Sequence, residues 1–210
     1  SEFGLYTLAI SIISFFAMDF GLGSAVSRFI SKYRSENNQM ASKRFLGSIY
    51  KLFIMIAGVL FLTFLIIYIN IENIYSGLTL NEIEKLKVLL LVSGTFSVVS
   101  FPFNPFDGIL IANERFVFIK AIELLQRVVT IILMVIALQL DYGLYALVVV
   151  NAFVGLIKVS IKFIYIRTST ETEVDFKYSG KGLYSEIFNF SAWTSIIIVA
   201  QRFILNITPT

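Results

Sequence analysis

Apolar residues along this chain gather into six long stretches separated by polar connections. They run approximately Gly4–Ile30, Lys51–Asn70, Val88–Ala112, Phe116–Leu140, Tyr142–Ile166 and Ile187–Thr208. About 20 mostly apolar residues in a helix cross the hydrocarbon layer, because backbone N–H and C=O groups in lipid must be paired within the segment. None of the stretches alternates apolar and polar positions over the roughly ten residues of a membrane β-strand. The pattern therefore predicts an all-α fold, a polytopic bundle of six transmembrane helices forming one domain over residues 1–210. Leu52–Ile69 is the cleanest stretch, with no charge at all.

Composition supports the bilayer as solvent. The chain is 57% hydrophobic and 15% charged, against about 25% charged in an ordinary soluble domain, and its mean hydropathy is +0.83. A globule of this length cannot hide so much apolar surface from water. Cysteine and histidine are both absent, which removes disulfides, thiolate metal sites, the usual zinc ligands and any Ser-His-Asp triad. No cofactor, no metal and no catalytic residue is expected. The net charge of +3 is read as basic loops rather than as nucleic-acid binding. The N-terminus does not read as a signal peptide. The chain lacks an initiating Met, and its last apolar run is still under way at Thr210, so a fragment of a longer protein is expected.

Lys and Arg fall mostly on one side of the predicted spans. Fourteen lie there: Arg28, Lys32, Arg34, Lys43, Arg44, Lys51, Arg115, Lys120, Arg127, Lys158, Lys162, Arg167, Lys177 and Lys181. The opposite connections hold only Lys85 and Lys87. The positive-inside rule makes the loops near Lys32, Arg115 and Arg167 cytoplasmic. The first helix then enters from outside, which implies a further helix before it. The longest hydrophilic piece, Arg167–Glu186, reads as a solvated linker, alternatively as the joint between two structural halves.

Charges inside the spans carry the functional reading. A charge near a helix centre costs about 2.5 to 3.5 kcal/mol on insertion scales, so such residues usually face a bundle interior or a wet pathway. Asp19, Asp107, Glu123, Arg127, Lys158 and Arg202 are of this kind. Lys120, Glu123, Arg127 and Thr130 fall within about 80° of one helix face. Asn151, Gly155, Lys158 and Lys162 form a second narrow stripe, and Ser191, Ser195, Arg202 and Asn206 a third. These stripes predict a hydrated cavity, while the lysines alone could equally snorkel to the headgroups. The string FPFNPFDG, with Pro102 and Pro105, predicts a kink or break in the third span; a transporter-type broken helix and an early helix end are both open readings. Gly21 with Ala25, and Gly23 with Ser27, are small residues four apart that let another helix approach.

The opening FGLYTLAISIISFFAMDFGLGSAVSRFISKYR, with its GLY start, its DFGL turn and the Arg28–Arg34 segment, resembles the polysaccharide biosynthesis (O-antigen-type) flippases. LIANERFVFIKAIELLQRVV is similar to their fourth-to-fifth helix passage. These proteins belong to the multidrug/oligosaccharidyl-lipid/polysaccharide exporter superfamily. The resemblance implies helices two to seven of a larger two-lobe transporter of twelve to fourteen helices, working by alternating access in the bacterial plasma membrane. Its implied substrate is an undecaprenyl-diphosphate-linked oligosaccharide, with other polysaccharide-assembly membrane proteins as expected neighbours. On that reading Arg127, Lys158 and Arg202 line the cavity, with Arg28 and Lys120 near its inner mouth. Asp19, Asp107 and Glu123 then balance charge or couple an ion. A drug or cation antiporter of the same superfamily remains open, although its cavity should be acidic. A membrane glycan polymerase or glycosyltransferase also remains, although it should need an acidic or histidine site beside a sizeable outer loop.

Overall fold

Charge, proline and tight turns set the helix ends in this chain. A computed structural model describes residues 4–9, 11, 21–75, 77–170, 172–178 and 181–207. Residues 4–9 are helical, and there follow α1 (Leu22–Ser35), α2 (Gln39–Ile69), a short α3 (Ile71–Ile74) and α4 (Leu80–Ser100). A 3-10 turn (Phe101–Phe103) leads into α5 (Pro105–Ala112), α6 (Phe116–Gln139), α7 (Gly143–Ser169) and α8 (Lys181–Ile207). No strand occurs among the described residues. Four segments among them are long and apolar enough to cross a membrane: Gln39–Ile69, Leu80–Ala112, Phe116–Gln139 and Tyr145–Ser169. They answer to the second through fifth predicted spans. The first predicted span runs through residues 12–20, which lie outside the described residues, and the sixth falls on α8.

Several boundaries differ from the apolar pattern for physical reasons. Helix α2 starts at Gln39 rather than Lys51, because neighbours in the second unit cover its early turns, Phe29 against Phe45 and the Asp175 backbone against Gly47. Phe45, Leu46 and Ile49 are buried, while Arg44 stays exposed. Helix α4 starts at Leu80 rather than Val88, on a capping box. The Glu82 N–H donates to Thr79 Oγ1 at 3.4 Å and the Thr79 N–H to Glu82 Oε2 at 3.1 Å, pairing two donors the helix leaves open. The break at FPFNPFDG is present. Pro102 sits in the 3-10 turn, and Pro105 opens α5, where a missing N–H costs nothing. Gly21 takes φ +73° and caps α1, so the helix ending at Ser35 begins there and does not run unbroken from the start of the chain.

The chain divides into two compact units. The first comprises Ser1–Met18, Phe53–Phe103 and Val117–Phe163. Its core gathers Leu5, Phe64, Leu86, Leu89, Leu90, Val98 and Val148. Gly94 of α4 lets the Phe64 ring lie against its backbone, and Gly155 of α7 does the same for Phe96. Leu62, Ile66, Val117, Leu124 and Ile131 remain exposed, an apolar exterior suited to hydrocarbon rather than water.

The second unit comprises Asp19–Leu52, Asn104–Phe116 and Ile164–Thr210. Here α1 lies backbone-close to α5. A Cβ added at Gly108 would stand 2.6 Å from the Gly23 carbonyl oxygen, and one at Gly21 would meet the Thr194 side chain at 2.9 Å. The small residues of the first span thus admit neighbouring helices. Phe29 packs against Phe45 and Phe190 at centroid distances of 5.2 and 6.5 Å.

Within the stretch Arg167–Glu186, expected to be a solvated linker, residues 172–178 lie along α2. Asp175 N–H donates to the Lys43 carbonyl at 3.1 Å, and Lys51 Nζ donates to the Tyr178 carbonyl at 3.0 Å. Glu173 pairs with Lys43, and Arg44 stacks over the Tyr178 ring. Gly47, having no side chain, leaves room for the Asp175 backbone against the helix. Residues 172–178 form a docked strap.

Candidate functional site

The charged stripes of α6 and α7 meet within the first unit. Lys120 Nζ donates to Glu123 Oε2 at 3.0 Å, one turn along α6. Lys158 and Lys162 of α7 also act electrostatically on the Glu123 carboxylate. One carboxylate thus pairs with one lysine and feels the charge of two more, on two helices of membrane length. Lys162 is 4% exposed, so its ammonium is not simply extended into solvent. Lys158 lines a crevice of about 60 Å³ with Gln126, between apolar walls that include Ile122 and Val154. That space holds at most a few waters. At the far end of the α6 stripe the Thr130 hydroxyl is buried with no hydrogen-bond partner among the described residues.

Arg127 follows Glu123 by four residues on α6 and its side chain is exposed. The α7 stripe is less uniform than its spacing predicts. Gly155 is closed by the Phe96 ring, and Asn151 approaches the Tyr6 hydroxyl at 3.5 Å, the outer limit of a hydrogen bond. Only Lys158 and Lys162 of that stripe join the charged cluster.

Two of the other predicted residues, Arg28 and Asp107, belong to the second unit. Arg28, in the second unit, is exposed and lies over the Phe190 ring, with Cζ 4.5 Å from its centroid. Asp107 sits half-buried in the first turn of α5, beside the close passage at Gly108. Asp19 lies outside the described residues. So does the side chain of Arg202, whose backbone belongs to α8. On α8, Ser195 Oγ donates to the Ser191 carbonyl at 2.8 Å, and the Ser191 hydroxyl is buried without a partner among the described residues.

Sequence reasoning passed over a second polar constellation. Arg34 and Arg115 served there only to orient the spans, yet in the second unit both line a cavity of about 490 Å³. Asn37, Asn38, Gln39 and Asn113 line it with them. The amide run at Asn37–Gln39 and the second Asn-containing turn at Asn113 were the available signal.

A family model described as polysaccharide biosynthesis protein matches residues 1–209. No curated protein and no solved structure matches the chain.

Proposed function

On the premise that the chain belongs to the polysaccharide biosynthesis protein family and is a membrane protein of that family, we propose that it moves a lipid-diphosphate-linked oligosaccharide between leaflets. The cargo of this reading is an undecaprenyl-diphosphate-linked glycan, and the setting is the bacterial plasma membrane. The substrate crosses without covalent change, so the chain acts as part of a transporter working by alternating access rather than as an enzyme.

The observation that carries this reading is the α6–α7 cluster, in which Lys120 pairs with Glu123 and the charges of Lys158 and Lys162 act on the same carboxylate. The two helices carry five basic side chains, Lys120, Arg127, Lys158, Lys162 and Arg167, against the one carboxylate of Glu123. Each charge on a membrane-length helix costs free energy unless water or an anion meets it. A diphosphate headgroup answers that need through charge-assisted hydrogen bonds, and low local dielectric strengthens the attraction. Arg127, exposed four residues beyond Glu123, extends the cationic face along α6. A cation antiporter would need the opposite balance of charge on these helices.

The test is leaflet transfer of a fluorescent undecaprenyl-diphosphate-linked sugar in proteoliposomes, read with a membrane-impermeant quencher. Losing charge-assisted contacts in the Arg127→Gln/Lys158→Gln double variant should slow transfer by about tenfold or more at unchanged expression. Transfer at the original rate in that variant would refute the assignment. A covalently altered product would instead favour a polymerase or transferase.

A further inference from the structure

Three turns of the second unit converge on the cavity of about 490 Å³. One joins α1 to α2 through Asn37 at φ +53°, and another joins α5 to α6 through Glu114 at φ +59°. The third is the end of α7, where Ser169 and Thr170 lead into Thr172 of the strap. Left-handed backbone is unfavourable for a non-glycine residue, and for Glu more than for Asn. Two such corners beside one cavity hold its wall in a defined shape.

The chemistry of the lining is one-sided. It carries the guanidinium groups of Arg34 and Arg115, the amides of Asn37 and Gln39, and hydroxyls that include Ser42. No carboxylate lines it among the described residues. Its volume falls in the range of small-molecule sites, about 300–1,000 Å³, yet such sites are mostly apolar and this one is not. The ligand it fits is therefore anionic and rich in hydroxyls.

Arg34 is positioned for such a role by its neighbours. One guanidinium nitrogen donates to the Ala112 carbonyl at 3.2 Å and to Asn113 Oδ1 at 3.4 Å, leaving its remaining N–H groups to serve another acceptor. The Arg115 guanidinium has no hydrogen bond or ion pair among the described residues. The first turn of α2, where Gln39 and Ser42 face the cavity, holds no acidic side chain, and the neutral Asn38 Oδ1 accepts the Ala41 N–H there at 3.0 Å, so no formal negative charge in that turn offsets the helix dipole. The carbonyl ends of α1, α5 and α7 oppose an anion, and Arg34 already meets the one at Ala112. Burial, followed by the charges of Glu186 and Glu36, pushes the Tyr33 hydroxyl above its ordinary range. It stays a neutral donor at the cavity wall.

We infer that this turn cavity is a binding site for a phosphate ester of a sugar or other polyol, with Arg115 and Arg34 on the phosphate and the amide and hydroxyl groups on the polyol. It lies apart in composition and in chain segment from the α6–α7 cluster, and it stands whether or not that cluster carries transport. The same chemistry can arrive as a soluble sugar phosphate or as the headgroup of a lipid.

The experiment measures binding to the full chain in nanodiscs, without any transport readout. One arm titrates glucose 1-phosphate into discs of phosphatidylcholine; the other compares discs with and without phosphatidylinositol for protection of a fluorophore placed at Ser42→Cys. Saturable binding of glucose 1-phosphate that weakens about tenfold or more in Arg115→Gln, the expected loss of a charge-assisted contact, supports a soluble ligand. Protection only by phosphatidylinositol, lost in Arg115→Gln, supports a lipid headgroup. Arg167→Gln removes an exposed charge from the last turn of α7 that does not line the cavity, and it should leave either signal within about twofold. Equal losses in Arg167→Gln and Arg115→Gln would mean a diffuse field and overturn the proposal. Absence of saturable binding in both arms would also overturn it, leaving Arg34 as a partner of the Ala112 carbonyl alone.

Discussion

The two units spend the same side chains on different problems. In the first, lysines sit along α6 and α7, where the flanking side chains are apolar and every charge must find water, a partner or a ligand. In the second, Arg34 and Arg115 sit at helix ends, where backbone carbonyls are open and a guanidinium is welcome; Arg34 donates to the Ala112 carbonyl. A cation at a helix end is cheap to keep for structural reasons alone. A cation along a membrane-length helix, such as Lys158, costs more to keep.

Packing differs in the same sense. The first unit leaves much of its apolar surface facing outward, with Leu62, Ile66, Leu124 and Ile131 all exposed. The second brings α1 and α5 together until backbone nearly meets backbone at Gly108 and Gly23. The contrast is broken most directly by adding bulk at one glycine from each. Gly108→Val should destabilise by about 1–3 kcal/mol, the cost of overpacking a close helix crossing, seen as a lower thermal midpoint in detergent. Gly58 of α2 has nothing within 4 Å of its added Cβ, so Gly58→Val should move the midpoint by no more than about 0.5 kcal/mol of stability. Equal effects would show that the open surface at Gly58 is packed as tightly as the α1–α5 crossing.

What could be read in advance follows the same division. Helix α6 ends within a residue of its expected limit at Leu140, because Glu114–Arg115 and Asp141 bracket an apolar run. The break at Pro102–Pro105 was equally legible, since missing N–H groups act locally. Apolarity alone misplaced the start of α2, whose early turns bury Ser48 as fully as Phe45 and Ile49. That burial comes from Phe29 of α1 and from the segment at Asp175, which lie far off in sequence. The strap was not legible at all. Nothing in Thr172–Tyr178 names its helix, and Gly47 reads as an ordinary helical glycine until Asp175 lies against it. The cavity shared that fate, because its lining comes from three turns far apart in sequence. Residues one turn apart, such as Lys120 and Glu123, could be placed together; residues such as Arg34 and Asn113 could not.

A middle-sized effect sharpens the comparison from the side of the first unit. Its α4 begins on the Thr79–Glu82 capping box, a purely local device outside the apolar run. Thr79→Ala should cost about 1 kcal/mol and speed amide exchange over the first turn of α4, while the α1–α5 region keeps its protection. Exchange that rises in both regions would mean that the two units unfold as one, and the division drawn here would lose its energetic content.

The smallest effect concerns the strap of the second unit. Lys43 and Glu173 form an ion pair, but their side chains are 31% and 69% exposed, so solvent and salt screen most of the attraction. A double-mutant cycle with Lys43→Ala and Glu173→Ala should give a coupling of about 0.2–1 kcal/mol that shrinks as salt is added. The strap should nevertheless stay docked in Lys43→Ala, because its backbone anchor is the Lys43 carbonyl, which the substitution leaves in place. Lys51 still holds the Tyr178 carbonyl, and the stack of Arg44 on the Tyr178 ring is untouched. Protease cleavage within 172–178 reads this directly. Rapid cutting of Lys43→Ala would mean that charge, rather than backbone bonding over Gly47, holds the segment to α2.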